Sequence, residues 1–286
     1  MQMANKLKQE AKAFVRPAYL RGLAAWTTLR MRFVRPGAAH SLPHRLVVSL
    51  TSYPKRFDVL HLTIKSILAQ DMAADVVVLW VAHGDMDKLP ANVRRLEHHG
   101  LTIRATDDLR SYKKILPALA DYGDAFIVTA DDDVYYPRHW LRTFCEAYRP
   151  GEREVLCYRA HRMAFEGPDL APYDSWTFEI TETEPAPNVF FTGVGGVFYP
   201  PGVFHEDVAD RARLMELCPS TDDVWLNWMV RLGGAKIRKV GRRQRFHEWR
   251  GSQAVALQNT NRFATAGNDQ QIANIIRAYG YAGVRP

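Results

Sequence analysis

The chain has 286 residues, of which 47% are hydrophobic and 24% charged, and this composition is typical of a folded globular protein. This composition argues against a chain disordered throughout and against a collagen-like fibre. A polytopic membrane protein is also disfavoured, because the longest clean apolar run, residues 76–82, is far shorter than the ~20 residues of a membrane-spanning helix. The formal net charge of +7 raises the question of a nucleic-acid partner, and the three scattered cysteines fit a reduced, cytosolic setting.

The positive charge lies in two zones of the chain. Residues 1–45 contain nine Lys or Arg residues against one Glu, and residues 236–250 contain seven against one Glu. The remainder is therefore net acidic. A surface that wraps a nucleic acid would usually spread its positive charge more widely, so the sequence predicts no nucleic-acid partner.

Residues 1–36 are predicted to form a basic amphipathic arm. Apolar residues such as Phe14, Leu23 and Trp26 recur at helical spacing, and Lys and Arg occupy most of the polar positions between them. This pattern predicts a helix that lies on an anionic membrane surface. A helix packed on its own domain and an Arg-rich targeting presequence are the open alternatives.

After the Pro36-Gly37 break, strand and helix patterns alternate. The predicted strands cover residues 45–50, 75–82, 102–106 and 125–129, with later ones near 155–159 and 196–199. The predicted helices cover residues 60–68, 87–99 and 112–121, with later ones near 208–217 and 224–232. The alternation predicts an α/β fold with a mostly parallel central sheet flanked by helices. We expect one domain over residues 45–270, followed by a C-terminal tail or helix at 271–286.

Three consecutive aspartates follow the fourth predicted strand. In an extended segment alternate residues point the same way, so Asp131 and Asp133 can face one site while Asp132 faces away. Ligands of open α/β sheets bind outside the carboxyl ends of the strands. The cluster therefore predicts a site for a divalent cation and a phosphate-bearing substrate, with a solvated acidic turn as the alternative.

A second acidic pair, Asp222 and Asp223, precedes the predicted helix at 224–232. Ser220 or Thr221 could cap this helix and the two aspartates could occupy its positive first turn, which would explain them without any chemistry. Two acidic clusters in one α/β domain favour a second interpretation, in which one cluster binds a metal and the other holds a general base.

Four segments together resemble a metal-dependent, GT-A-type glycosyltransferase. They are Thr51-Ser52-Tyr53-Pro54 after the first strand, IVTADDDVYYP at 127–137, FFTGVGGVFYPP at 190–201 and STDDVW at 220–225. The resemblance is to family 2-like bacterial enzymes that build surface polysaccharide or lipopolysaccharide, and it covers roughly residues 45–270. It implies a GT-A, Rossmann-like nucleotide-diphospho-sugar transferase fold.

The resemblance also implies roles for single residues. Asp131 and Asp133 match the pair that holds Mn²⁺ or Mg²⁺ on the diphosphate of the sugar nucleotide, and His247 matches a third metal ligand or a diphosphate contact. Asp223 takes the place of the catalytic base. Because the family motif is commonly E-D rather than D-D, Asp222 remains an alternative candidate for the catalytic base.

Further donor contacts are implied at positions that also have a structural interpretation. They are Thr51, Tyr53, Arg56, Asp108, Lys114, Asp131, Asp132, Gly195 and Gly196. Lys113 and Lys114 could equally form an exposed helix face, and the glycines could form a tight turn into a strand. Arg242, Arg243 and Arg245 could add positive charge near the diphosphate or contact an anionic acceptor. Trp176 and Trp225 could stack on a sugar, although core packing is the expectation for both.

The implied activity is inverting transfer of a sugar from a nucleotide sugar, with UDP as the expected nucleotide, to a hydroxyl of a cell-surface glycan or lipid-linked acceptor. The expected location is cytoplasmic, peripheral on the inner face of the bacterial cytoplasmic membrane. A sugar-phosphate nucleotidyltransferase is one alternative, although the TSYPKRF segment lacks the glycines of its phosphate loop. A non-enzymatic membrane- or polyanion-binding protein is another, and it leaves Asp131–Asp133 unexplained.

Overall fold

The computed structural model describes residues 17–31, 37–241, 244–249 and 267–284. Its strands are β1 (Leu46–Thr51), β2 (Val76–Ala82), β3 (Leu101–Thr106), β4 (Phe126–Ala130), β5 (Val134–Tyr135), β6 (Glu154–Cys157), β7 (Ala160–Arg162), β8 (Phe165–Glu166), β9 (Asp169–Leu170), β10 (Val189–Phe191), β11 (Val197–Tyr199), β12 (Lys236–Lys239) and β13 (His247–Glu248). Its α-helices are α1 (residues 17–31), α2 (Phe57–Leu68), α3 (Ala91–Arg94), α4 (Leu116–Asp121), α5 (Trp140–Ala147), α6 (Arg211–Leu217), α7 (Asp222–Leu232) and α8 (Asn268–Tyr279).

Seven strands form the central sheet in the order β12-β6-β11-β4-β1-β2-β3. β1 pairs in parallel with both β2 and β4, β2 with β3, and β6 with β12. β11 runs antiparallel to both of its neighbours, so it alone opposes the other six strands of this sheet. The predicted fold class, a mostly parallel sheet flanked by helices, is confirmed.

Both faces of the sheet are buried under helices. Along β1, Val47 packs into the apolar cluster that contains Trp225 of α7, whereas Val48 packs into the cluster that contains Ile64 of α2. This division follows from the two-residue side-chain period of a strand. Strands covered on both faces lack polar positions, and β1, β2 and β4 therefore appear in the sequence as nearly continuous apolar runs.

The helix predicted at residues 87–99 is interrupted in the structure. The structure has a 3-10 turn at His83–Lys88, then α3, then a second 3-10 turn at Arg95–His99. Pro90 explains the break, because a proline disfavours helical geometry in the residue before it, and Leu89 is indeed extended with φ −67° and ψ 122°.

The predicted helix at residues 112–121 is likewise shorter than expected. A 3-10 turn at Arg110–Lys114 comes first, and the α-helix α4 begins only at Leu116. Pro117 therefore lies in the first turn of α4, where its missing N–H removes no helical hydrogen bond. The other predicted strands and helices of the domain are present within a few residues.

Of the predicted arm, the structure describes α1, and residues 1–16 and 32–36 lie outside the described residues. α1 packs on the domain through Leu20 and Thr27, which are buried, and Lys65 Nζ of α2 donates to Thr28 Oγ1 at 3.2 Å. Its outer face exposes Tyr19, Trp26 and Leu29, with Trp26 57% exposed. For residues 17–31 the structure thus shows a helix packed on its own domain that also presents an apolar outer face.

The C-terminal helix belongs to the core. Ile272 and Ile275 of α8 are buried in the same apolar cluster as α7. The predicted boundary between domain and tail, after residue 270, falls inside this helix. Within the described ranges, no helix combines the length and apolarity needed to cross a membrane. Cys145, Cys157 and Cys218 are buried free thiols.

Candidate active site

Three chain segments meet at one edge of the central sheet. β1 and β4 are parallel neighbours, so their carboxyl ends, at Thr51 and Ala130, lie at the same edge. β11 runs the other way and pairs Val197 with Thr129, so its beginning, not its end, reaches this edge. The aspartates after β4 and the glycine segment before β11 are therefore neighbours in space although about 60 residues separate them in the chain.

The three aspartates share some of their partners. Asp132 accepts hydrogen bonds from Ser52 Oγ at 2.6 Å and Arg56 Nη1 at 2.8 Å, and the same Arg56 nitrogen lies 3.0 Å from Asp133 Oδ2. Asp131 and Asp133 both line a cavity of about 320 Å³ at the sheet edge. Because Asp132 and Asp133 are only 6% and 5% exposed, the alternative of a solvated acidic turn is wrong.

Main-chain contacts fix the positions of Asp131 and Asp133. The N–H of Asp131 donates to the buried Tyr136 hydroxyl at 2.7 Å, and the N–H of Trp249 donates to the carbonyl of Asp133 at 2.8 Å. The side chain of Asp133 pairs with Arg56 Nη1 at 3.0 Å. Both carboxylates are thus held at the cavity wall before any ligand binds.

The charges around Asp131 fit a divalent cation. Burial raises the pKa of the Asp131 carboxyl, and the neighbouring charges of Asp132 and Asp222 raise it further, whereas Lys114, 3.8 Å away, lowers it. Burial is the main cause of this raised pKa, and a cation bound at the carboxyl would favour its ionised form. Among the described residues no three His, Cys, Asp or Glu side chains form a metal-binding group. Two carboxylates that share an ion with substrate phosphates are the arrangement that Mg²⁺ commonly adopts.

His247 precedes a residue that lines this cavity but does not line it itself. It pairs with Tyr135 in the short β13–β5 ladder, and its ring contacts the Tyr19 ring of α1 with centroids 5.1 Å apart. Its neighbour Glu248 lines the cavity, whereas His247 is not among the lining residues. The metal-ligand role of His247 stays a prediction.

Asp222 and Asp223 line the same cavity but have different partners. Asp223 Oδ1 accepts a hydrogen bond from the Gly193 N–H at 3.0 Å, and Asp222 Oδ2 pairs with Lys114 Nζ at 3.0 Å. Burial and the adjacent charge of Asp222 raise the pKa of Asp223 to about 7. Asp223 therefore has the proton affinity of a general base at neutral pH, and Asp222 holds a buried ammonium.

Lys114 is the central cation of the site. Burial alone would lower the pKa of its ammonium, but the carboxylates of Asp222, Asp131 and Asp223 outweigh this effect and raise the pKa above its ordinary value. Lys113 is also buried and donates to Asp108 Oδ1 at 2.7 Å. The alternative of an exposed helix face is therefore wrong for both lysines.

The start of α7 is capped in a way that the sequence did not predict. Thr221 makes no side-chain cap. Instead, Oε1 of the buried Gln271 in α8 accepts from the N–H groups of Ser220 and Thr221, both at 3.1 Å, and its Nε2 donates to Ser220 Oγ at 2.8 Å. Helix α8 thus holds the loop that carries the two aspartates.

A second cavity, of about 270 Å³, adjoins the first and shares Arg56, Ser111, Lys114 and Asp131 with it. Seven of the predicted donor contacts line this cavity: Thr51, Tyr53, Arg56, Asp108, Lys114, Asp131 and Asp132. The Arg56 guanidinium lies 5.7 Å from the centre of the Tyr53 ring. Sequence reasoning missed Ser52, Arg110 and Ser111, which face the same space from the same loops.

The glycine segment has two distinct functions. At Gly193 a Cβ would lie 3.2 Å from Asp223 Oδ1 and 3.3 Å from Lys114 Nζ, so the absent side chain lets the backbone approach both groups. Gly195 and Gly196 have φ values of 85° and 96°, in the left-handed region that favours glycine, and they pack on Phe246 and Trp140. They are not among the residues that line either cavity, so their donor contact stays a prediction while their turn role is visible.

Two further expectations concern aromatic and basic residues. Trp176 and Trp225 are buried in the core, as expected, and their indole N–H groups donate to the carbonyls of Ala171 and Val208. Arg242 and Arg243 lie outside the described residues, and Arg245 is exposed.

No known family model and no curated protein matches the sequence. Several solved structures are similar. They include glucosyl-3-phosphoglycerate synthase from Mycobacterium tuberculosis with Mn²⁺, uridine diphosphate and phosphoglyceric acid (TM-score 0.43, 14% identity, 85% of this chain and 80% of that chain). TarS from S. aureus is similar at TM-score 0.47 and 14% identity over 83% of this chain and 74% of that one. The inositol-1-phosphate CTP transferase from T. maritima has TM-score 0.36 and 9% identity over 68% and 85%.

Proposed function

We propose that this chain is a metal-dependent, inverting GT-A-type glycosyltransferase that moves a sugar from a nucleoside-diphosphate sugar, UDP-linked, to a hydroxyl of a cell-surface glycan or a lipid-linked glycan. The observation that supports this function best is that the paired carboxylates Asp131 and Asp133 and the high-pKa carboxyl of Asp223 line one cavity. One group of carboxylates suits a cation with a diphosphate, and the other suits proton removal.

In the reaction, the acceptor oxygen forms a bond to the anomeric carbon while the bond from that carbon to the diphosphate oxygen breaks. The proton of the acceptor hydroxyl passes to the Asp223 carboxylate, and the nucleoside diphosphate leaves with the electron pair of the broken bond. A single displacement inverts the anomeric configuration, through a charge-separated transition state related to that of glycoside hydrolysis. Gly193 N–H orients the base through its 3.0 Å hydrogen bond.

Asp131 and Asp133 would hold the Mn²⁺ or Mg²⁺ ion, which supplies positive charge to the leaving diphosphate when bound. Lys114 and Arg56 line both cavities and add fixed positive charge where the two meet. The adjoining cavity beside Tyr53 and Asp108 would receive the nucleoside.

The product of donor turnover tests this function against the nucleotidyltransferase alternative. We expect the purified chain with Mn²⁺ to release a nucleoside diphosphate from one member of a panel of UDP-, GDP- and dTDP-sugars, and to stop in excess EDTA. Release of pyrophosphate from a nucleoside triphosphate and a sugar phosphate would establish the alternative chemistry. Failure of every donor to turn over or to bind would leave only the non-enzymatic alternative.

We further propose that the protein is peripheral on the inner face of the bacterial cytoplasmic membrane, with α1 facing the lipid. The support is that the outer face of α1 exposes Tyr19, Trp26 and Leu29, in a part of the sequence where residues 1–45 are strongly basic. Aromatic side chains favour the interface of a bilayer, and each Lys or Arg near an anionic leaflet contributes about 1 kcal/mol.

Vesicle co-sedimentation of the full chain measures this attachment. With vesicles that contain anionic lipid, Trp26→Glu should reduce the bound fraction about tenfold, because it removes an apolar contact and adds a repelled charge. Binding of the unchanged chain should weaken as salt rises. Met215→Glu, at an apolar residue that is 43% exposed on α6, is the matched control. Equal losses in the two variants, or no preference for anionic lipid, would contradict the membrane proposal.

A further inference from the structure

The cavity that contains Asp223 extends beyond the charged residues into an aromatic lobe. We define this lobe by His161, Tyr173, Phe178 and Phe190, with Arg159 at its edge, all of which line the cavity. The rings contact one another: the centroids of His161 and Phe178 lie 4.5 Å apart, and those of Tyr173 and Phe178 lie 5.4 Å apart. The donor chemistry described above uses none of these residues.

Phe178 is the most exposed ring of the lobe. It is 37% exposed, and its ring makes edge contacts with the rings of His161 and Tyr173. An aromatic ring that neighbouring rings hold in place and that is open to a cavity offers a flat apolar face at low entropic cost.

Among the uncharged side chains that line the cavity, three polar atoms have no hydrogen-bond partner within the part of the chain that the structure describes. They are Thr192 Oγ1, Thr221 Oγ1 and Asn268 Oδ1. Thr192 and Thr221 are only 5% and 6% exposed. A buried polar atom without a partner is unfavourable, so such atoms favour the binding of a ligand that carries hydroxyl groups.

The charges that line the cavity are mostly negative. Five carboxylates, those of Asp131, Asp133, Asp222, Asp223 and Glu248, stand against the cations Arg56, Lys114 and Arg159. With the diphosphate beside Arg56 and Lys114, as proposed above, a second anion in the lobe is disfavoured. Arg159 is the lobe's own cation among the described residues, and its Nε lies 3.4 Å from Glu179 Oε1. Burial, with the nearby Arg159 charge, lowers the pKa of His161 to about 4, so its imidazole is neutral at physiological pH.

From these observations we infer that the aromatic lobe is the acceptor subsite, and that it binds a neutral pyranose ring, with the ring stacked on Phe178 and its hydroxyls hydrogen-bonded by Thr192, Thr221 and Asn268. The apolar face of a pyranose consists of C–H groups and its rim of hydroxyls, which matches an aromatic face bordered by polar atoms. Asp223 lines the same cavity as the lobe, so the bound ring and the base share one space. The inference rests on the proposed function, since an acceptor subsite presupposes a transferase with Asp223 as its base.

Two independent measurements test the subsite. The first is saturation-transfer NMR of methyl pyranosides, with 3-phosphoglycerate as the small anionic probe, in the presence of UDP and Mn²⁺. We expect signals from at least one methyl pyranoside and none from the anion, and Phe178→Ala and Thr192→Val should each reduce the pyranoside signal. The second is steady-state transfer to the same pyranosides, in which Phe178→Ala should raise the acceptor KM about tenfold more than the donor KM. Met215→Ala, an exposed apolar residue outside both cavities, is the matched control and should change neither.

The outcomes separate this inference from the proposed function. If nucleotide sugars are hydrolysed but no pyranoside binds, or if Phe178→Ala and Thr192→Val bind pyranosides like the unchanged chain, the subsite is wrong and the transferase stands. If no nucleotide sugar turns over but the pyranoside signal is lost in Phe178→Ala, the proposed function is wrong and the ring-binding lobe stands. Binding of 3-phosphoglycerate in competition with pyranosides would overturn the assignment of a neutral acceptor.

Discussion

Replacing Asp223 by Asn should lower kcat about 10²-fold or more, the usual scale for the loss of a general base, while donor affinity stays nearly intact. The amide oxygen of Asn can still accept the hydrogen bond from the Gly193 N–H, so the position of the side chain is kept. What the variant loses is the capacity to take the acceptor proton. Turnover and donor binding, measured by product release and by calorimetry with UDP, separate these two effects.

Asp222→Asn is the matched variant for this experiment. It removes the partner of Lys114, 3.0 Å away, and we expect it to weaken donor binding more than it lowers kcat. If Asp222→Asn shows the larger loss of kcat, the base is Asp222. If both variants remain active, or if the product keeps the anomeric configuration of the donor, the inverting mechanism is wrong.

The pH profile supplies an independent check on the same residue. A base acts in its deprotonated form, so kcat/KM should rise about tenfold per pH unit below the pKa of Asp223 in the free enzyme and level off above it. Because burial and the charge of Asp222 raise this pKa to about 7, the rise should extend to near-neutral pH instead of ending near pH 4. In Asp223→Asn this limb should be absent.

The second large effect is expected at the metal carboxylates. Asp131→Asn and Asp133→Asn should each weaken Mn²⁺ binding in the presence of UDP by at least the 10- to 100-fold typical of a disturbed metal site, and turnover should fall with it. Each change removes one negative charge and one strong oxygen ligand from the cavity wall. Electron paramagnetic resonance of Mn²⁺ reports the binding directly, without reliance on activity.

Asp132→Asn is the control for that experiment, because the Asp132 side chain faces Ser52 and Arg56. It should keep Mn²⁺ affinity close to that of the unchanged chain, even if donor binding weakens through Arg56. If all three variants lose Mn²⁺ binding, the prediction that Asp131 and Asp133 but not Asp132 hold the metal is wrong. If all three variants keep Mn²⁺ binding, the prediction of a metal site at these aspartates is wrong.

The parts of the site that the sequence predicted are those that local periodicity determines. Asp131 and Asp133 line one cavity, in line with their spacing of two residues, and the closeness of this cluster to Thr51 follows from parallel strands that end at one edge. The two predicted helices break near Pro90 and Pro117, because a proline disfavours helical geometry in the residue before it and fits only the first turn of a helix.

The parts that the sequence did not predict depend on distant chain segments. Gln271 caps a helix that begins about 50 residues earlier, and no short-range pattern marks it. Phe178 occupies a stretch of short strands and loops without clear periodicity, so nothing in the sequence indicated that it would line the cavity of Asp223. Only the packed structure brings these residues together.

The position of β11 has a consequence for how this chain can diversify under the proposed function. Because β11 enters the sheet at the edge where β4 leaves it, the chain between β6 and β11, residues 158–196, forms an excursion that leaves and rejoins the sheet at this edge. All members of the aromatic lobe come from this excursion, whereas the donor contacts that line the adjoining cavity come from the loops after β1, β3 and β4. Surface excursions tolerate substitution and changes of length better than the strands that support them. Under the proposed function, a lineage of such proteins could change the sugar-receiving molecule through one continuous stretch of sequence, while the proposed nucleotide-binding loops stay as they are.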